Sequence, residues 1–187
     1  PRAWDRDSET PSLAEMTQAA LKSLDQNPQG FFLMVEGSEI DWAGHDNSIV
    51  GVISEMEDFI TAVQVVLDFA RQNHDTLVII TADHETGGMS LGRDNIYRWD
   101  SRPLKGLKAT PAAMTTKYLA GEEPLSAFIA ENVAFELSEA EITTLDATPH
   151  NSTAVNDAII DLFNKRTLTG GSSTGHTGVD VPLYVFG

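Results

Sequence analysis

Phe31-Phe32-Leu33-Met34-Val35-Glu36-Gly37 and Leu77-Val78-Ile79-Ile80-Thr81-Ala82-Asp83-His84 decide how this chain is read. Each is a short, unbroken apolar run that ends in polar and ionisable residues. Runs of this length without alternation are expected of strands buried on both faces, as in parallel sheets. Between them, Ser48 to Gln72 carries Ile49, Val52, Ile53, Met56, Ile60, Val63, Leu67 and Phe69 at helical spacing. That spacing predicts one long helix with a broad apolar face. Strand, helix, strand is a βαβ unit, for which the crossover is expected to be right-handed. The fold class follows: α/β, a largely parallel central sheet flanked by helices.

Outward from this unit the signals are local. Residues 1–10 are polar and read as a linker or loop. Thr10-Pro11 reads as a helix start, with Pro at the first helical position. Leu13, Met16, Ala20, Leu21 and Leu24 continue that helix, and Asn27-Pro28-Gln29-Gly30 ends it. Residues 88–170 are first irregular, then helical over about 111–120, 124–135, 138–146 and 151–164. Ser138 and Glu141 form a capping-box pattern. This stretch reads as an insertion within one domain of residues 1–187. Gly170 to Gly175 reads as a flexible loop, and Val181 to Phe186 as a last strand.

The chain has 187 residues, the length of one ordinary domain. It has no cysteine, which excludes disulfide scaffolds, Cys-type zinc sites, iron–sulfur clusters and Cys nucleophiles. Lys and Arg number 12 against 28 Asp and Glu, a formal charge of −16. Such a surface repels nucleic acid and anionic membranes. No run approaches the ~18 apolar residues of a membrane span. The chain opens Pro1-Arg2-Ala3-Trp4 without an initiator Met, so it is expected to begin inside a longer or processed polypeptide.

Three clusters carry candidate chemistry. Glu36 to His45 follows the first apolar run. Glu36, Asp41 and His45 are metal ligands by type, and one helical turn would aim Asp41 and His45 the same way. Thr81 to Gly88 follows the second run, with Asp83 and His84 adjacent and two glycines beyond. Ligands of open α/β sheets bind at the carboxyl ends of strands, where both clusters fall. The third, Ser173 to Asp180, sets His176 between Gly175 and Gly178 before the final strand. Taken singly, each cluster could be an acidic loop with a solvated His. His74 and His150 lack acidic partners and read as surface residues.

The residues Phe31 to Gly37, Ile40-Asp41, His45, Thr81 to Gly88 and Gly175-His176-Thr177-Gly178 resemble the alkaline phosphatase family in order and spacing. The resemblance spans nearly the whole chain but only the C-terminal half or so of a family member. It implies hydrolysis of phosphate monoesters through a phosphoserine intermediate, with two zinc ions and one magnesium ion. It implies that Asp41, His45 and His176 ligate the first zinc. Asp83 and His84 would be two of three ligands to the second zinc, and Glu36 one of the magnesium ligands. Trp42 falls where members differ, close to the phosphate. A homodimer and a periplasmic or secreted location are also what the resemblance implies.

The departures are informative. The family's nucleophilic Ser lies in an Asp-Ser-Ala motif that this sequence lacks. Asp7-Ser8-Glu9 and Asp100-Ser101-Arg102 are superficial matches, and neither Ser follows a buried strand. The nucleophile, the phosphate-clamping Arg and the remaining metal ligands are expected in an N-terminal portion of the same enzyme, and this chain alone is expected to be inactive. Two other readings stay open. One is a related hydrolase acting on phosphodiesters, phosphonates or sulfate esters. The other is a non-catalytic acidic metal-binding module.

Overall fold

Side-chain caps set most helix starts in the computed structural model, which describes residues 1–187. Helix α1 (Leu13–Leu24) opens on Ser12, whose hydroxyl accepts from the Glu15 amide while Glu15 accepts from the Ser12 amide. The start therefore lies beyond Thr10-Pro11. Thr10 is instead drawn back to Asp7, its amide and hydroxyl donating to Asp7 Oδ1 at 2.8 and 2.9 Å. Helix α2 covers Ser38–His45, and α3 (Ile49–Gln72) is capped by Ser48. Then come α4 (Pro111–Leu119), with Pro at its first turn, and α5 (Leu125–Asn132). Helix α6 (Glu139–Asp146) has the expected Ser138–Glu141 box, and α7 (Ser152–Thr167) is capped by Asn151.

The strands are short and pair only antiparallel. β1 (Val78–Ile80) pairs with β6 (Tyr184–Phe186), β2 (Glu85–Thr86) with β5 (His176–Thr177), and β3 (Ser90–Leu91) with β4 (Thr169–Gly170). The parallel pairing expected between the two apolar runs is not formed within the chain. Residues 31–35 are extended without a ladder partner. Nor is the run buried on both faces. Phe31, Leu33 and Val35 are half-buried, with the Phe31 ring 6.0 Å from Phe69 of α3. Phe32 and Met34 point the other way and are 89% and 77% exposed. Ile79 and Val185 are exposed as well. The physical reason is pleating: a strand offers alternate residues to opposite faces, and only one face is covered here.

The main core lies among the later helices. Val155, Ile159, Leu162 and Phe163 of α7 pack with Met114 and Tyr118 of α4, Leu125, Phe128 and Ile129 of α5, and Leu145 of α6. Each fully buried side chain of this size contributes about 1.5–3 kcal/mol relative to exposure. From α3 only Ile49 and Val50 join this cluster. The rest of α3 turns toward α1 and buries the small residues Ala62 and Ala70, while Met56 and Ile60 stay exposed. Its apolar residues thus serve two contacts rather than one broad face.

Residues 1–10 are a loop with one short 3-10 turn, and they act as a strap rather than a free linker. The Ala3 amide donates to Glu55 Oε1 at 2.6 Å and the Trp4 amide to Ser54 Oγ at 3.0 Å. Arg6 makes a two-pronged contact with Asp58 at 2.6 and 2.8 Å, which holds the Asp58 carboxyl below its ordinary range. Asp5 accepts from the amide and hydroxyl of Thr110 at 2.9 and 2.5 Å. The segment thereby ties α3 to the start of α4.

Candidate metal centre

Helix α2 carries the first two donors. Asp41 and His45 lie one turn apart, and His45 Nε2 is 3.3 Å from Asp41 Oδ2. The helix is held from outside by Arg2, which donates to Glu39 Oε2 at 2.6 Å and to Asp46 Oδ2 at 3.1 Å. It also sits unusually close to β2. A Cβ on Gly44 would meet Thr86 Cβ and O at 3.0 Å, and one on Gly87, at φ +91°, would meet Gly44 O at 2.5 Å. Glycine is required at 87 and leaves only tight room for a side chain at 44, and this is how Asp41 reaches Thr86, whose Oγ1 donates to Asp41 Oδ1 at 2.5 Å.

His176 is brought in by β2–β5 pairing, which sets Thr86 opposite His176 and Glu85 opposite Thr177. The preceding glycine-rich segment is not a free loop. Gly87 N donates to Gly175 O at 2.9 Å, and Ser172 N and Ser173 N donate to Gly87 O at 3.1 and 3.2 Å. Asn47 Nδ2 donates to Ser173 O at 2.8 Å. A Cβ on Gly171 would overlap Asn47 Oδ1 at 1.8 Å. On the other edge, Thr177 Oγ1 donates to Glu85 Oε2, and the amides of Gly88 and Met89 also donate to Glu85. These bonds, that of Thr177 first, hold the Glu85 carboxyl below its ordinary value.

The result is a convergent donor set. One ligand atom each from Asp41, His45 and His176 lies within 4.8 Å of the others. His176 Nε2 is 3.8 Å from Asp41 Oδ1. The His84 ring stacks on that of His176 with centroids 3.5 Å apart, and His84 Nε2 is 3.3 Å from Asp83 Oδ2. Two donor groups thus stand side by side, with Asp83 the most solvent-facing member.

The proton arrangement fits a divalent metal. His45 Nδ1 lies 2.6 Å from the Thr174 carbonyl, which can only accept, so Nδ1 carries a proton. In a neutral imidazole, Nε2 is then a lone pair facing a carboxylate oxygen. Two acceptors at that distance repel unless a cation lies between them or the ring is doubly protonated. Ligand atoms of four-coordinate zinc, with bonds of about 2.0–2.1 Å, stand about 3.3–3.4 Å apart. The pairs His45–Asp41 and His84–Asp83 both have that spacing, at 3.3 Å. Nitrogen and carboxylate donors are also the chemistry zinc takes. Histidine ligands oriented through their second nitrogen are the usual supporting arrangement.

Other candidates fall elsewhere. Glu36 is exposed at the end of the extended segment and stands outside the three-residue group. Trp42 is 62% exposed on α2. His74 is exposed beyond α3. His150 rests on Tyr118, ring centroids 5.1 Å apart, away from the cluster. Ser8 and Ser101 are exposed. Two residues that build the site carried no sequence signal of their own, Asn47 and Arg2, while Thr174 and Thr177 lay within the third cluster without a role assigned to them. Thr86 had a weak one, since residues two apart on extended backbone share a face and Thr86 is two beyond His84.

The order of these ligand-bearing elements is also a family's. The alkaline phosphatase family model matches residues 1–187. Alkaline phosphatase 3 of Bacillus subtilis (strain 168) is 47% identical over 192 residues, covering 100% of this chain and 41% of the relative. The cold-active alkaline phosphatase of a psychrophilic Shewanella species superposes with a TM-score of 0.93 at 38% identity, over 100% of this chain and 47% of that one. A variant of the TAB5 alkaline phosphatase with Mg bound in its M3 site has a TM-score of 0.53 at 26% identity, over 94% of this chain and 34% of its own. The chain belongs to the alkaline phosphatase family, and its α/β fold is that family's. It spans less than half the length of these relatives.

Proposed function

We propose that the chain is the C-terminal, metal-binding portion of a single alkaline-phosphatase-like domain that hydrolyses phosphate monoesters, with residues 88–170 an insertion in it. The observation that carries the reading is the convergence of Asp41, His45 and His176 within 4.8 Å, beside the Asp83–His84 pair. In this reading Asp41, His45 and His176 hold one zinc, Asp83 and His84 part of a second, and Glu36 belongs to a magnesium site. The TAB5 relative's bound Mg supports the last ion. Such ions supply Lewis-acid stabilisation of phosphoryl oxygens and lower the pKa of a coordinated hydroxyl or water.

This chain's own residues have three tasks. Thr174 O holds His45 in the Nδ1–H form, so that Nε2 faces the site. The Glu85–Thr177 contact keeps β5, and with it His176, against β2. In this reading Trp42, exposed on the same helix as Asp41, flanks an incoming phosphate.

The nucleophilic Ser, its phosphoserine intermediate and the phosphate-clamping Arg belong in this reading to a portion of the enzyme outside the 187 residues. The unpaired segment 31–35 and its open apolar face support such a portion. Homodimerisation and a periplasmic or secreted location rest on the family resemblance. No helix is long and apolar enough to cross a membrane.

The test is an assay of the full-length protein on a chromogenic phosphate monoester, a diester and a sulfate ester. The monoester should be preferred. Preference for the diester or the sulfate ester would move the protein to a related hydrolase class. Zinc binding with no turnover of any of them would leave a metal-binding module. The purified 187-residue chain, loaded with zinc, should be inactive.

A further inference from the structure

Thr86 has one hydroxyl and two partners, and the partners belong to different donor groups. Oγ1 is 2.5 Å from Asp41 Oδ1 and 3.1 Å from His84 Nδ1. A hydroxyl has a single proton to give and two lone pairs to receive with. An ionised carboxylate only accepts, so the proton goes to Asp41. The His84 contact must then run the other way, from Nδ1–H to Thr86 Oγ1. That leaves His84 Nε2 as the lone pair facing Asp83 Oδ2 at 3.3 Å. It also leaves Asp41 Oδ2 facing His45 Nε2 at 3.3 Å.

We propose that Thr86 is a positioning residue that couples the two metal sites: one hydroxyl fixes the carboxylate of the first and the imidazole tautomer of the second. Packing supports the assignment independently. Gly44 and Gly87 lack the side chains that would hold α2 off β2 at this point: a Cβ would make a tight 3.0 Å contact at 44 and a 2.5 Å clash with backbone at 87. The β2–β5 register then sets Thr86 directly opposite His176, the third donor of the first group. The residue therefore meets members of both groups while needing no metal contact of its own.

The inference rests on the zinc reading of the two donor groups. Its test uses the full-length protein with Thr86→Val, which keeps the branched shape and removes the hydroxyl, and Thr86→Ser, which keeps the hydroxyl. Zinc affinity at each site is read by competition with a chromophoric chelator. The tautomer of His84 is read in metal-free protein from ring ¹H–¹⁵N correlations, assigned with His84→Gln.

Thr86→Val should weaken zinc at both sites by about 10–100-fold, the usual effect of losing a partner that orients a ligand. It should also abolish the Nδ1–H preference of His84. Thr86→Ser should stay within about threefold of the parent, by the same reasoning. If Thr86→Val does not fold, Thr86→Ala serves the same comparison. A Val or Ala variant that binds zinc like the parent overturns the inference. So does loss at one site only, a Ser variant as weak as Val, or an unchanged His84 tautomer. A parent protein that binds no zinc overturns the metal reading itself, and this inference with it.

Discussion

Phe163 of α7 is fully buried, while Phe32 of the extended segment is 89% exposed. The two residues stand for two regions built from similar side chains. Helices α4 to α7 close a core mostly among themselves, over about fifty residues, with Ile49 and Val50 of α3 added, because each helix satisfies its own backbone and needs only side-chain neighbours. The apolar runs at 31–35 and 77–80 cannot do this. A strand completes its hydrogen bonds only on another strand, and β1 has found one partner, β6, while 31–35 has none. The candidate metal centre sits between these regions. The difference teaches that local folding signals can be complete in one part of a chain while an apolar strand-like run elsewhere has no ladder partner among the same 187 residues.

The strongest way to break the contrast is a pair of truncations. Phe163→Ala should destabilise the chain by about 3–5 kcal/mol, the cost of a large buried cavity. Phe32→Ala should change it by less than about 0.5 kcal/mol, as surface substitutions do. Urea midpoints of both variants decide the matter. Equal losses would mean that the 31–35 face is covered in solution, by a second copy or by another part of the polypeptide.

Metal should act between the two. Zinc at a hundred times its dissociation constant should stabilise the folded chain by about 2.7 kcal/mol, and chelation should reverse this. His176→Ala should weaken the first site and leave Asp83–His84 able to bind. Calorimetric thermal scans with and without zinc measure the effect. No zinc-dependent rise in the parent would remove the assignment of the first site.

Within the helical region, Arg166 clamps Glu141 at 2.6 and 2.5 Å and joins α7 to α6. That contact, more than any other, lowers the Glu141 carboxyl from 4.5 to about 2. A depressed folded-state value gives stability that is present above pH 4.5 and is lost as pH falls toward 2. Glu141→Gln should thus cost on the order of 1–2 kcal/mol at pH 7, as loss of a charged hydrogen bond does. The gap between variant and parent should close near pH 2, in acid-unfolding curves of the two. A gap that does not narrow would show that the helix pair is held by packing alone.

The smallest effect should come from salt. An excess of 16 acidic groups repels itself. The Debye length shrinks from about 30 Å at 0.01 M to about 3 Å at 1 M, so molar sodium chloride should raise the thermal midpoint by a few degrees. A flat response would dismiss a halophilic adaptation.

Much of this was legible in the residue order because its causes are local. Ser138 with Glu141, Asn151 and Ser48 mark helix starts through bonds that span three residues, and the proline at 111 does so through its fixed φ. Asp41 and His45 share a face because a helix turns every 3.6 residues. Where the structure departs from that order, a side chain outside the element competes with the local signal. Thr10-Pro11 lost the N-cap to Ser12 because Asp7 captured Thr10. Residues 1–10 read as a linker or loop, with no sign of being tied down, because Glu55, Asp58 and Thr110, which hold them, lie far along the chain.

The sequence by itself determined the starts of α3 to α7 within a residue or two, the presence of metal-type donor residues and the family, but not α2 as a helix nor the ends of α5 and α7. Only the tertiary structure decided that the glycine-rich segment is pinned, that His176 faces Asp41 across 135 positions of sequence, and that Thr86 stands between Asp41 and His84. Donor chemistry is a property of residue type and travels with the sequence. Convergence depends on antiparallel pairing of β2 with β5 and on how closely α2 can approach β2, both contacts between segments with no local code for each other.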